Sequence, residues 1–271
     1  MTRPHTASSF KRLDGLSPPM TVPQYPDKHE ASALITPGVS REYHEDGDGG
    51  TELPSSVVVT FQPHLFDHVV SERATEEIAV SDFFDLHRLG DRPDVGVVGD
   101  FGIGAPSTAM VVERLVAHGV DRFCIAGIAG CLQSDVGMGE PVVCTRALRD
   151  EGVSHHYVEP GRWTAAAETT IQRCETAAED AGLAVHRGPT WTTSAVYRET
   201  VPEIERYAEE GIVTVDMEAA ALFAVAEYRD VEAGALFTVS DYLGPDEWDP
   251  RFDATDEHLR DLFDVATAAL S

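Results

Sequence analysis

A single α/β domain, with a central mixed β-sheet flanked by helices, is the architecture this sequence predicts, and three observations predict it. From Ser56 onward, short apolar runs alternate with amphipathic segments at helical spacing. Strands that alternate with helices in this way build a largely parallel or mixed sheet covered on both faces. No internal repeat divides the chain, and 271 residues that are 42% hydrophobic can bury one sizeable core.

The elements follow in order. Residues 1–30 are polar, unperiodic and rich in proline (Pro4, Pro18, Pro19, Pro23, Pro26), and Glu42–Gly50 is acidic and glycine-rich. Together they predict a flexible arm and loop over 1–55, ahead of a domain over 56–271. Strands are expected at Ser56–Phe61, Val95–Gly99, Phe123–Ala126, Pro141–Thr145 and Ala233–Val239. Helices are expected at Ser107–His118, Thr164–Ala181, Glu199–Glu210, Met217–Tyr228 and Thr255–Ala269. The first of these carries Met110, Val111, Leu115 and Val116 at helical spacing and stops at Gly119.

Charge removes several function classes. Asp and Glu number 47 against 20 Lys and Arg, a formal net charge of -27, and the only lysines are Lys11 and Lys28. A surface this negative repels nucleic-acid phosphates and acidic membranes, so neither is expected as a partner. The acidic residues run along the whole length, which fits a protein kept soluble in high salt rather than one with an acidic tail. Cys124, Cys131, Cys144 and Cys174 have no paired spacing and read as buried, reduced thiols. No stretch reaches the length of a membrane span and Met1–Met20 has no apolar signal core, so a cytoplasmic location is expected.

In such a sheet, ligands gather beyond the carboxyl ends of strands, where loops and helix starts converge. Four segments are expected there. The turn from Gly102 through Gly104 to Ser107 connects a strand to a helix and presents free N–H groups to an anion or hydroxyl, or is simply a tight connection capped by Ser107. Ala126–Gly130, also placed after a strand, is small enough for a ligand or a backbone to approach. Asp216, Met217 and Glu218 open a helix, where a carboxylate either answers the helix dipole or holds a ribose diol. Asp241 ends the apolar run Thr238-Val239-Ser240-Asp241 and is either a turn former or a general acid.

Each segment alone has a plain structural explanation; their order does not. GIGAPS, RFCIAGIAG, the run Gly137–Val143, VDMEAAALFAVAE and TVSD in succession resemble the purine nucleoside and uridine phosphorylases, from about Ser56 to the C-terminus. The resemblance implies a homo-oligomer, dimer to hexamer, that splits nucleosides with phosphate as co-substrate and uses no cofactor or metal. By the same resemblance Met217 and Glu218 hold the ribose, with Gly104, Ala129 and Gly130 also lining the substrate. Asp241 serves N7 of a purine, and Arg251 is the nearest match to the arginine that assists it.

The phosphate site departs from that pattern. A Gly-Asp-Pro-x-Arg turn is replaced by Phe61-Gln62-Pro63-His64-Leu65, and a second family arginine stands as Ile125. The Ser or Thr of a glycine turn is Ile128, and the arginine usually lent by a neighbouring subunit falls near Asp82. Phosphate is therefore assigned to Gly102 and Ser107 with His64, Arg88 and Arg198 as candidate cations, each of which is otherwise an ordinary surface residue. The loop Ala195–Thr200 lacks the glutamine and arginine pair that reads uracil, which leans the base toward purine, while Ala147–Tyr157 is similar to archaeal uridine phosphorylase-like sequences. His155 and His156 have no partner at metal-ligand spacing. A hydrolytic nucleosidase and a non-catalytic nucleoside binder stay open beside the phosphorylase.

Overall fold

The computed structural model describes residues 28–39, 52–244, 248–252 and 255–271. Most of the arm and loop expected over 1–55 lies outside the described residues. The part that is described includes a 3-10 turn at Lys28–Glu30, which docks on the chain near His156 and pairs His29 with Glu159 at 3.3 Å.

Eleven strands are described: β1 (Ser56–Val59), β2 (Thr75–Ile78), β3 (Asp85–Leu89), β4 (Val95–Gly99), β5 (Arg122–Cys131), β6 (Pro141–Asp150), β7 (Trp163–Ala165), β8 (His186–Thr193), β9 (Thr214–Asp216), β10 (Glu232–Leu243) and β11 (Trp248–Pro250). Six α-helices accompany them: α1 (Pro63–Glu72), α2 (Ala105–Ala117), α3 (Glu168–Asp180), α4 (Val201–Glu209), α5 (Ala219–Arg229) and α6 (Asp256–Leu270). The sheet is mixed, as expected, in the order β11-β10-β6-β8-β9-β5-β1-β4-β3-β2. It also closes on itself, because β10 pairs with β5 as well as with β6. Strands β5, β10, β6, β8 and β9 thus form a ring, from which β1, β4, β3 and β2 extend as a wing.

The core follows from composition. Every residue of β1 and β4 is buried, as a strand covered on both faces must be. The first eight residues of α5, Ala219 to Ala226, are all buried, so this helix is apolar around its circumference and sits inside. It packs on α2, and α3 packs on α6.

Several expectations are corrected. Thr164 and Ala165 are strand, not helix, because β7 pairs with β6 and Thr164 Oγ1 donates to the Ala220 carbonyl; the helix begins at Glu168. Gly127–Gly130 is not a turn after a strand but the second half of β5, paired with β10 along its length and with β9 at Gly130. β10 likewise runs past Val239 to Leu243, with its register shifting between Val239 and Asp241. In α2 the buried face is Val111, Val112 and Leu115, whereas Met110 is exposed. All four cysteines are buried and free.

Candidate active site

The second half of β5, the start of α5, the far end of β10 and the segment 196–201 meet, together with Trp248, at one cavity of about 530 Å3. That volume lies within the range of small-molecule sites. Its walls are mostly apolar, and among the described lining residues four carry carboxyls, Glu199, Asp216, Glu218 and Asp241, while none is basic.

The start of α5 is built around Asp216. Its Oδ2 accepts the N–H groups of Glu218 and Ala219 at 2.8 and 2.6 Å, and its Oδ1 accepts the hydroxyls of Thr190 and Thr192 at 3.1 and 2.7 Å. Asp216 is therefore consumed in anchoring the helix start to β8. Glu218 is thereby released to a different task. Its Oε1 accepts the Gly104 N–H at 2.7 Å and its Oε2 the Met217 N–H at 3.2 Å. Gly104 can present that N–H because it adopts φ +90, a left-handed conformation that glycine tolerates without a Cβ clash. Burial pushes the Glu218 carboxyl up to about 8, and the neighbouring Asp216 charge adds to the shift. Burial raises Asp216 too, and the four hydrogen-bond donors on it oppose that rise.

Asp241 is placed by an irregularity in β10. The register shift beside Ser240 re-aims the strand, as β-bulges do at functional sites. Ser240 Oγ then donates to Asp241 Oδ1 at 2.6 Å, and Trp248 Nε1 donates to Oδ2 at 2.7 Å. Gly130 is required opposite. A Cβ there would stand 2.4 Å from Leu243 Cδ1 and 3.2 Å from Asp241 Oδ2.

Glu199 lines the cavity between the 3-10 turn Val196–Arg198 and α4. Its neighbour Glu203 is spent in a capping box with Thr200, but the Glu199 carboxyl has no hydrogen-bond donor among the described residues. Burial raises it to about 7, helped by the charges of Asp241 and Glu203.

Of the residues singled out from sequence, Ala129, Gly130, Met217, Glu218 and Asp241 line this cavity, and Gly104 borders it through its bond to Glu218. Ile125 and Ile128, at the positions where the resemblance leads one to seek an arginine and a hydroxyl, line it as apolar wall. The phosphate candidates are not brought together. His64 pairs with Asp256 at 3.2 Å. Arg88 sits opposite Gly96, toward the other end of β4, and pairs with Glu76 at 2.8 Å. Arg198 is exposed beside cavity-lining Tyr197 and Glu199 without lining the cavity itself. Gly102 and Ser107 adjoin each other at the start of α2, where Ser107 lies inside the first turn and the capping position belongs to Gly104. The Arg251 guanidinium bonds Asp249, at 2.8 and 3.2 Å, and it is Trp248 that donates to Asp241.

Trp248 and Glu199 are cavity residues with polar groups that sequence reasoning did not assign to the site. Trp248 reaches Asp241 only because β11 folds back antiparallel on β10, which nothing in its own neighbourhood announces. Glu199 had a faint signal: it is an acid immediately before a helix cap already supplied with Glu203.

Comparison with known proteins identifies the family. The family model described as the phosphorylase superfamily matches residues 65–270. The chain is 36% identical over 126 residues to a guanosine phosphorylase of Halorubrum lacusprofundi, covering 46% of this chain and 52% of that protein. It is 33% identical over 140 residues to a uridine phosphorylase of Thermococcus kodakarensis, covering 46% and 50%. The chain spans about half the length of the curated relatives it matches. Among solved structures, a uridine phosphorylase from Vibrio fischeri superposes with a TM-score of 0.70 at 21% identity, over 81% of this chain and 92% of that one. A purine nucleoside phosphorylase from Toxoplasma gondii in complex with immucillin-H gives 0.69 at 19% identity, over 80% and 91%. These two show a shared fold. With the family model matching 206 of the 271 residues (65 through 270), the chain belongs to the phosphorylase superfamily.

Proposed function

We propose that this chain cleaves the N-glycosidic bond of purine nucleosides by phosphorolysis, releasing the free base and ribose 1-phosphate. The observation that carries the proposal is that Glu218 and Asp241 face one nucleoside-sized cavity from two different elements. Glu218, once ionised, accepts the ribose hydroxyls as charge-assisted hydrogen bonds. Asp241 serves N7 of the base. As the C1′–N9 bond breaks, its electron pair passes to the base, N7 takes a proton, and an oxocarbenium-like sugar forms. A phosphate oxygen then bonds C1′.

Glu199 favours a 6-oxopurine with a donor edge. A carboxylate can accept N1–H and the 2-amino group of guanine together, whereas adenine offers an acceptor at N1 and uracil flanks its one N–H with two carbonyls. The name of the Halorubrum relative, a guanosine phosphorylase, points the same way.

A second reading, hydrolysis, is favoured by one observation: the described cavity lining holds four carboxyls and no cation, an unfavourable place for phosphate. Phosphorolysis then requires the start of α2, with Gly102 and Ser107, or a cation from another subunit, to hold the anion. One assay separates the readings. With guanosine as substrate, turnover should saturate with phosphate and yield ribose 1-phosphate. Free ribose at an undiminished rate in phosphate-free buffer establishes hydrolysis instead.

A further inference from the structure

We propose that Trp248 is a positioning residue of this reaction, an indole donor that holds Asp241 where the leaving base takes its proton; the inference rests on the N-glycosidic reading above. Trp248 opens β11, whose antiparallel pairing sets it opposite Leu243, two residues beyond Asp241. From there its Nε1–H reaches Asp241 Oδ2 at 2.7 Å, while Ser240 Oγ holds Oδ1 at 2.6 Å. With one donor on each oxygen the carboxyl has a single orientation, and the register shift beside Ser240 has already turned it.

Packing does not account for the indole's place. Trp248 is 60% exposed, lines the cavity, and meets Phe252 in a tilted contact with ring centroids 6.0 Å apart. A large aromatic left in solvent contributes little by burial, so the bond to Asp241 is what its position serves. The choice of donor matters chemically. An indole N–H is a donor only, and it orients the carboxyl without adding charge beside it. The nearby guanidinium of Arg251 bonds Asp249. In the step itself Asp241 enters protonated, passes that proton to N7 as the C–N bond breaks and is left as a carboxylate, and the neutral indole keeps it aimed throughout.

The test compares guanosine with 7-methylguanosine, whose base already carries positive charge and leaves without a proton at N7. Trp248→Phe keeps the ring and deletes the donor, and Trp248→His restores a ring N–H. Losing a hydrogen bond to a charged group should lower kcat on guanosine by about tenfold to a hundredfold with KM within about threefold. On 7-methylguanosine the same variant should lose less than about threefold, and Trp248→His should recover part of the guanosine rate. Equal losses on the two substrates, or an unchanged guanosine rate, overturn the positioning role while leaving N-glycosidic cleavage standing. A wild-type protein that cleaves neither substrate overturns both.

Discussion

Glu218 combines two properties that pull against each other. Its carboxyl is buried and raised to about 8, a cost to the fold, yet it is held by the Gly104 and Met217 N–H groups, the arrangement expected of the proposed ribose acceptor. Because the folded value lies above the unfolded one, the unfolded chain releases this proton first as pH rises. Glu218 therefore costs stability progressively between about pH 4.5 and 8, and the cost levels off above that window. Glu218→Gln removes the titration and keeps one acceptor oxygen, enough for either the Gly104 or the Met217 N–H. Urea denaturation at pH 5, 7 and 9 should show the variant gaining on the wild type as pH rises, while kcat/KM falls at least about tenfold. A stability difference that is flat with pH contradicts the raised carboxyl, and wild-type kinetics end the ribose assignment. Glu199→Gln should act on choice of substrate instead. It exchanges one acceptor for a donor facing N1–H and the 2-amino group, so the guanosine-to-adenosine ratio of kcat/KM should fall by about tenfold or more. An unchanged ratio removes Glu199 from base recognition.

At the scale of elements, the start of α5 is the part on which the site depends. Asp216 ties the Glu218 and Ala219 N–H groups to the hydroxyls of Thr190 and Thr192 on β8, and Thr192 Oγ1 accepts the Ala220 N–H in turn. Asp216→Ala leaves these donors buried without their acceptor, which should cost about 3 kcal/mol or more of unfolding free energy. Asp216→Asn retains one acceptor oxygen and should cost less. Chemical denaturation of both variants checks the order, and equal costs would show that the hydroxyls find other partners. Legibility also varied by element. The DMEAAALF segment announced a buried helix start, but His186–Thr193 did not announce a strand. With Pro189 and Gly188 inside it, β8 is specified by β6 and β9 on its two sides rather than by its own pattern. The charged wing strand Thr75–Ile78 was hidden for a related reason: its exposed edge carries Glu76 and Glu77.

For the whole molecule, the balance of 47 acidic against 20 basic residues is a fold-wide repulsion that added salt screens. The apparent Tm should therefore rise by at least about 5 °C as NaCl goes from about 0.1 to 2 M. Thermal melts followed by circular dichroism check this; a flat or falling Tm would show that the acidic residues are already neutralised by local pairs. The same charge bears on the acceptor. An anion entering a cavity whose described lining carries four carboxyls depends on screening or on helix N–H groups, so the proposed use of phosphate would depend on the molecule's field as much as on one residue.

The sequence by itself determined the mixed α/β class, the family resemblance, and the residues Met217, Glu218 and Asp241, because apolar periodicity and short motifs are local properties. It also showed that the arginines expected for phosphate are missing. Only the tertiary structure decided that β10 closes on β5, that GIAG lies within a strand, and that Asp216 anchors the helix start while Glu218 takes the Gly104 and Met217 N–H groups. It likewise gave His64 and Arg88 carboxylate partners away from the cavity lining, paired the Arg251 guanidinium with Asp249, and brought Trp248 onto Asp241. The physical reason is common to all of these. Strand pairing and side-chain partnership join residues distant in the chain, and a residue's own neighbours in sequence carry no record of which distant group it will meet.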